Sequence, residues 1–375
     1  MTTTVTREQV LSFRMQAQQL DRATGTIADT ALLDLGAQDT GPDGALWALA
    51  VRGVDTVGAD SSRVGPAELV TAWTLRGAPH VYRRADLPSV ASAVQPFSEA
   101  DAAKRILNAS QPLKAAGITP VQALDTVARE MRAIVAAPMV KGEVSTALTA
   151  RLDEPYLRWC GPCQATHAYE MPFRLGALRG GLELQAGTSP PVLQRADGLT
   201  PVFESASPPE ARHDVVRATL HLLGPATPAQ VAGYLEATLA DVRARWPEDA
   251  TPVEVDGEQR WVLEDDLAAL LGADATADRL LGPYDLFLQG RDRDLLVQDP
   301  AHAKALWPVL GRPGVVLLGR EVAGLWRPRK SGSKLTLAVE LWTRRTRAAE
   351  RAVAAGAEAL AAFRGLRLAG VEYPG

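Results

Sequence analysis

Residues 212–266 read RHDVVRATLHLLGPATPAQVAGYLEATLADVRARWPEDATPVEVDGEQRWVLEDD. From His213 to Leu223 the apolar residues Val215, Val216, Leu220 and Leu223 recur at helical spacing. Gly224-Pro225-Ala226-Thr227-Pro228 ends that helix and opens another, with Thr227 as N-cap and Pro228 at the first helical position. Pro228–Leu235 is expected as the second helix and Thr238–Trp246 as a third, again headed by a threonine. Val253-Glu-Val, the turn Asp256-Gly257-Glu258 and Arg260-Trp-Val-Leu follow, and an Asp-Gly pair between apolar runs predicts a two-stranded hairpin. Three helices closed by a hairpin wing are the winged-helix order, a helix-turn-helix with a β-hairpin added.

The same order recurs more weakly upstream. Residues 7–20, 27–34 and 44–51 read as helices, and Ala72-Trp-Thr-Leu-Arg, a Gly77-Ala-Pro79 turn and His80-Val-Tyr-Arg83 complete a wing. Residues 98–108, 119–136 and 143–152 read as helices, followed by a second wing of Phe173–Leu178, Arg179-Gly-Gly and Leu182-Glu-Leu-Gln. Beyond residue 280 the period changes to that of strands: Gly314-Val-Val-Leu-Leu, Glu321–Trp326 and Lys334–Trp342, the last two joined by Lys330-Ser-Gly-Ser-Lys334. Thr346–Phe363 closes the chain as an Ala-rich helix. The expected fold is α+β, with tandem winged-helix units at 1–95, 96–195 and 205–272 and a C-terminal β-region at 280–375 carrying a hairpin and the closing helix. Ser189-Pro190-Pro191 and the polar run Glu204–Arg212 are the linker candidates.

With 375 residues, 46% hydrophobic and 22% charged, the chain can build a substantial core and is not of disordered composition. No apolar run approaches the roughly 18 residues of a membrane span, and MTTTVTREQVLSF lacks a basic segment followed by an apolar one, so no signal peptide is expected. Two cysteines rule out a disulfide framework, which points to a reducing cytoplasm. The net charge of −4 means that any nucleic-acid footprint must be local. Such a footprint exists: Arg327, Arg329, Lys330, Lys334, Arg344, Arg345 and Arg347 have only Glu340 among them. Charge alone reads more readily as a solvated hairpin face, so composition permits DNA binding without proving it.

Trp159-Cys160-Gly161-Pro162-Cys163 has the letters of the thioredoxin redox motif. That chemistry needs a thiol at a helix N-terminus after a buried strand, and Leu152–Arg158 does not read as one. Adding His167 makes a Cys-x2-Cys-x3-His array with Glu170 near, but no evident fourth ligand completes a zinc site. There is no Gly-x-Ser-x-Gly elbow, P-loop or dinucleotide-binding Gly-x-Gly-x-x-Gly, which removes the common hydrolase, kinase and dehydrogenase readings.

Three segments together resemble the AlkZ-like bacterial DNA glycosylases, a family of winged-helix DNA-binding proteins. They are Leu69-Val-Thr-Ala-Trp73-Thr-Leu-Arg76-Gly77-Ala-Pro-His80 with Asp86-Leu-Pro88; Phe173-Arg174-Leu175 with Gly180-Gly181; and Leu288-Gln-Gly-Arg291-Asp-Arg293 with Ala323-Gly324-Leu-Trp326-Arg327. The resemblance implies tandem winged helices around a DNA-sized channel, and excision of alkylated purines, including those in interstrand crosslinks, without metal or cofactor. It implies a monomer acting on double-stranded DNA at the nucleoid. The family's catalytic Gln-x-Gln or Gln-x-Asp motif, just after the second N-terminal helix, corresponds here to Gly36-Ala37-Gln38-Asp39, so Gln38 takes its second position and Gly36 stands where its first Gln would be. Gln16-Ala-Gln18 repeats the letters inside the first helix, out of place.

Purines alkylated at N7 or N3 are cationic leaving groups, so the protein must chiefly hold the sugar, stabilise charge at its anomeric carbon and direct a water. Gln38 and Asp39 supply a neutral carbonyl and a carboxylate for that task. In the alternative, Asp39 or Asp43 bonds backbone amides in a turn. Arg76 and His80 are expected to line the DNA channel, and Arg327, Arg329, Lys330 and Lys334 to contact phosphates from a hairpin with a small Ser-Gly-Ser tip. The competing function is a non-catalytic winged-helix DNA binder, a regulator or a DNA-shielding protein. A thiol oxidoreductase using Cys160 and Cys163 is a third class.

Overall fold

Three side-chain caps set the segment from which the fold is read. In the computed structural model, which describes residues 3–41, 43–56, 67–203 and 211–374, Asp214 accepts the amides of Val216 and Arg217 and starts the helix Val215–Leu223. Thr227 and Gln230 exchange bonds in a capping box at the head of Pro228–Leu235, and Thr238 caps Leu239–Ala244. Ala250–Val255 then pairs antiparallel with Glu258–Leu263. The turn places Asp256 and Gly257 at φ of 51° and 78°, the left-handed geometry that a tight hairpin asks of its two central residues. A third strand, Thr3–Val5, lies parallel along Ala250–Val255, so the first residues of the chain complete a sheet begun 250 residues later.

The upstream hairpin also forms, from Leu69–Trp73 and Pro79–Arg83. It belongs to a six-stranded sheet in the order Ala37–Gln38, Pro79–Arg83, Leu69–Trp73, Leu182–Leu184, Val192–Arg195, Met139–Val140. Segments expected as two units are thus joined through the pair Thr71 and Leu184.

The second expected wing is corrected. Phe173–Leu178 is not a strand but part of the helix Glu170–Arg179. Phe173, Gly176 and Ala177 share a buried face against the helix Pro120–Ile134. A methyl group at Gly176 would lie 2.8 Å from Val127, and one at Gly180 2.6 Å from the Ala128 carbonyl, so two glycines four residues apart let these helices touch. Leu182–Leu184 pairs instead with Val192–Arg195, and Ser189-Pro190-Pro191 lies in the loop between them rather than in a linker. Of the other linker candidate, Glu204–Arg212, residues 204–210 lie outside the described residues. The helix expected over 27–34 shortens to Leu32–Leu35, because Thr26, Asp29 and Arg22 bond one another in the preceding turn.

A five-stranded sheet runs Arg279–Leu281, Gly314–Leu318, Glu321–Ser331, Lys334–Leu341, Arg367–Glu372. Its last strand, parallel to Lys334–Leu341, follows the helix Arg347–Phe363, so the expected closing helix is a crossover. The structure is therefore mixed α+β. No helix among the described residues is long and apolar enough to cross a membrane.

Buried ion pairs stitch the N-terminal residues to the C-terminal half. Arg52 and Asp285, both fully enclosed, meet through two bonds of 2.8 and 2.9 Å. Arg14 and Arg260 share Asp292, and Asp43 takes Arg364. These contacts bring the loop after Gly282 against the helix Gly44–Ala50 and Arg52.

Candidate active site

The short helix Leu32–Leu35 ends at Gly36, whose amide returns to the Leu32 carbonyl and whose φ of 93° suits only glycine. A side chain there is excluded twice, since a Cβ would sit 2.4 Å from the Tyr82 ring. The chain then forms the strand Ala37–Gln38, with Gln38 opposite His80 and Ala37 opposite Val81. Successive strand residues face opposite sides, and Gln38 and Asp39 diverge accordingly.

Gln38 turns toward Arg76. Its Oε1 accepts from Arg76 Nη2 at 2.9 Å, and its Nε2 donates to Thr40 Oγ1 at 3.0 Å. The same guanidinium donates to Gln289 Oε1 at 2.6 Å and to the Tyr234 carbonyl at 3.0 Å, and stacks 4.6 Å from the Tyr234 ring. Arg76 reaches all three from a left-handed φ of 59°. One cation therefore gathers the strand end, the helix Pro228–Leu235 and the loop at Gln289, with its terminal nitrogens spent on protein acceptors.

Asp39 turns the other way. Its Oδ1 accepts the Ala45 amide at 3.0 Å, at the start of the helix Gly44–Ala50. Burial pushes its carboxyl above the ordinary aspartate value, opposed by that amide. Asp39 lines a cavity of 470 Å³ with Gly41, Thr71, Thr188 and Ser189. A second cavity, of 290 Å³, lies beyond the same loop, between Thr40 and Asp43 on one side and Arg312, Arg327 and Arg364 on the other. Gln38 thus meets Arg76, while Thr40 and Asp43 face the root of the basic hairpin.

His80 departs from expectation. It is 1% exposed, so in this conformation its ring lies inside the sheet rather than on a channel wall. Its Nδ1 sits 3.0 Å from both the Ala78 carbonyl and Thr74 Oγ1, and Thr74 Oγ1 lies 2.8 Å from the Tyr82 hydroxyl. Burial, with the nearby Arg76 charge, lowers its pKa to about 3, so the ring is neutral at physiological pH. Arg327, Arg329, Lys330 and Lys334 are exposed along the hairpin Glu321–Ser331 and Lys334–Leu341. Arg327 donates to the Gly311 carbonyl at 2.8 Å, and Arg329 reaches across Lys334–Leu341 to pair with Glu372 on the strand Arg367–Glu372. Lys330 and Lys334 flank the turn, where Gly332 has a φ of 56°.

Gln289, Tyr234, Arg312 and Arg364 were not among the expected site residues. Gln289 stands inside the Leu288–Arg293 segment, but its neighbour Asp292 has the buried structural task there, and nothing local separates the two roles. The Cys-x2-Cys motif lies away from this region, on an exposed hairpin of Leu157–Cys160 with Ala165–Ala168. Cys160 and Cys163 are free thiols. The Cys163 thiol and amide, together with His167, lower the Cys160 thiol to about 7.

The family described as DNA glycosylase AlkZ-like matches residues 29–363. The fold is similar to the solved structure of the Streptomyces sahachiroi DNA glycosylase AlkZ, at 23% identity and a TM-score of 0.73, over 99% of this chain and 100% of that one. No curated protein matches the sequence.

Proposed function

The chain belongs to the DNA glycosylase AlkZ-like family, and from that premise we propose that it hydrolyses the N-glycosyl bond of purines alkylated at N7 or N3 in duplex DNA. The observation that carries the reading is the position of Asp39: a half-buried carboxylate of raised pKa, lining a 470 Å³ cavity, next in sequence to a Gln38 fixed by Arg76. In the reaction a water oxygen bonds to the anomeric carbon while the C–N pair leaves with the cationic base. Asp39 stabilises the oxocarbenium-like sugar and takes the water's proton. Gln38, neutral and held at both ends by Arg76 and Thr40, is a positioning residue that fixes the strand end from which Asp39 projects. Arg76 then acts by holding Gln38 and Gln289 rather than by touching phosphate. The exposed Lys330 and Lys334, with Arg327 and Arg329 nearer the root, supply the phosphate contacts. The helix–helix–helix–hairpin segment at 215–263 is read as a winged helix within this DNA-binding surface, and unhooking of crosslinked purines as an extension of the same chemistry.

A second reading rests on Gly36. Its backbone and the Tyr82 ring leave no room for a side chain at the position of the family motif's first Gln, which favours a DNA binder without catalysis. A single-turnover assay on duplex carrying N7-methylguanine, developed with alkali, separates the two. Strand breaks at the lesion are expected; DNA binding without an abasic product at enzyme excess overturns the glycosylase reading.

A further inference from the structure

The small sheet of Leu157–Cys160 and Ala165–Ala168 pairs Arg158 with His167, Trp159 with Thr166 and Cys160 with Ala165. Alternation places Arg158, Cys160, Ala165 and His167 on one face and Trp159 with Thr166 on the other. Cys160 and His167 are therefore diagonal neighbours, a separation that long side chains bridge. The turn folds the second cysteine onto the same spot. Gln164 adopts a φ of 50° and donates its amide to the Gly161 carbonyl at 3.3 Å, while the Cys163 amide donates to the Cys160 sulfur. The two sulfurs and a ring nitrogen of His167 all lie within 4.8 Å of one another.

We propose that Cys160, Cys163 and His167 bind a zinc-class divalent ion, with solvent as the fourth ligand, as a clasp on the tip of this hairpin. Tetrahedral zinc with bonds of about 2.3 Å to sulfur and 2.0 Å to nitrogen needs ligand atoms roughly 3.5–3.8 Å apart. The three donors stand close to that already, and rotation about side-chain bonds closes the difference. The donor set is soft to borderline, which favours zinc or cobalt over calcium or magnesium. Two thiolates neutralise the ion's charge. Glu170 is not the missing fourth ligand, because Lys141 and Arg174 hold it at 2.8 and 2.6 Å.

His167 decides between a metal and a disulfide couple: exchange chemistry uses two sulfurs, whereas here an imidazole converges on both. A clasp also has something to do. A two-stranded hairpin is marginal in water by itself, this one pairs only four residues a strand, and its outer face presents Trp159 at 62% exposure. Metal binding would fix that indole and the turn beside it.

The test titrates the full, reduced chain with cobalt and then zinc. One cobalt per chain is expected, with a thiolate-to-metal band in the near ultraviolet and visible bands of tetrahedral intensity, all displaced by zinc. C160S, C163S and H167N should each lose the spectrum. The hairpin is exposed, so the variants should keep the thermal midpoint of the metal-free parent. Absence of the band while both thiols react with a disulfide reagent overturns the proposal, as does a band that survives H167N. Preferential closure of a Cys160–Cys163 disulfide on exposure to metal in air-free buffer with one equivalent of oxidised glutathione overturns it in favour of redox chemistry.

Discussion

Gln38 and Asp39 leave one short strand on opposite sides, so their contributions can be separated by substitution. Asp39 is an acid whose folded pKa lies above its ordinary value through burial. As a base it must be ionised, and the rate of the chemical step should fall as pH drops through a midpoint above 3.8, the usual aspartate value. Asp39→Asn should cost about 10²–10⁴-fold in single-turnover rate and flatten that acid limb. A full rate in Asp39→Asn would leave the carboxylate with its observed task alone, capping the helix at Ala45. His80 makes the opposite titration. Its pKa is depressed from 6.5 to about 3, so below 6.5 the unfolded chain binds a proton that the folded one refuses. Stability is present above the unfolded value and drains away as pH falls, at about 1.4 kcal/mol per pH unit for one such proton. Denaturant titrations from pH 7 to 4 should show this loss in the parent. His80→Asn, which can keep a donor toward Ala78, should lack it; equal slopes in both proteins would show that His80 is protonated as readily folded as unfolded.

At the scale of elements, what can be read from sequence divides by the distance of the partner. Thr227, Thr238 and Asp256-Gly257 act within three or four residues, and the helices and hairpin they announce form as expected. Thr3–Val5 and Arg367–Glu372 are strands only because remote strands lie beside them, and six residues such as Arg367–Glu372 carry no signal of that partner. Phe173–Leu178, expected as a strand, is helical for the same reason: the helix is chosen by Val127 and Ala128 across from Gly176 and Gly180. The site follows this rule. Gln38, Asp39 and Arg76 were visible through a family pattern, whereas Gln289 and Tyr234 join them only through the Arg76 guanidinium. The basic hairpin is the one proposed DNA contact legible from charge, and its contribution can be counted. Lys330→Ala and Lys334→Ala should each weaken DNA binding alike for damaged and undamaged duplex, and each lower the slope of log K against log salt by about one. A slope unchanged in the double variant would remove the hairpin tip from the phosphate contacts.

Over the whole molecule, the proposed site lies where the N-terminal segment meets the C-terminal half of the chain, and buried charge pairs hold that junction. Arg52 gives both terminal nitrogens to Asp285 and further bonds to the Gln18 and Ala48 carbonyls, while Asp285 also accepts the Phe287 amide. Four residues past Asp285 is Gln289, which shares Arg76 with Gln38. Loss of the carboxylate would leave a fully enclosed guanidinium without its counter-charge. Asp285→Ala is therefore expected to lower stability by about 3–5 kcal/mol, far beyond what an exposed pair would cost. It should also slow excision at temperatures where the protein remains folded, because the loop that positions Gln289 loses its anchor. The paired replacement Arg52→Met with Asp285→Leu removes both charges and fills similar volume, and should recover much of the stability. It restores neither the amide acceptor for Phe287 nor the bonds that Arg52 makes to Gln18 and Ala48, so its excision rate should recover less than its stability. Urea unfolding and single-turnover excision, measured on parent, single and double variants, test both halves. A single variant within 1 kcal/mol of the parent would show that solvent reaches Arg52, and a double variant with full activity would detach the Gln289 loop from the ion pair beneath it.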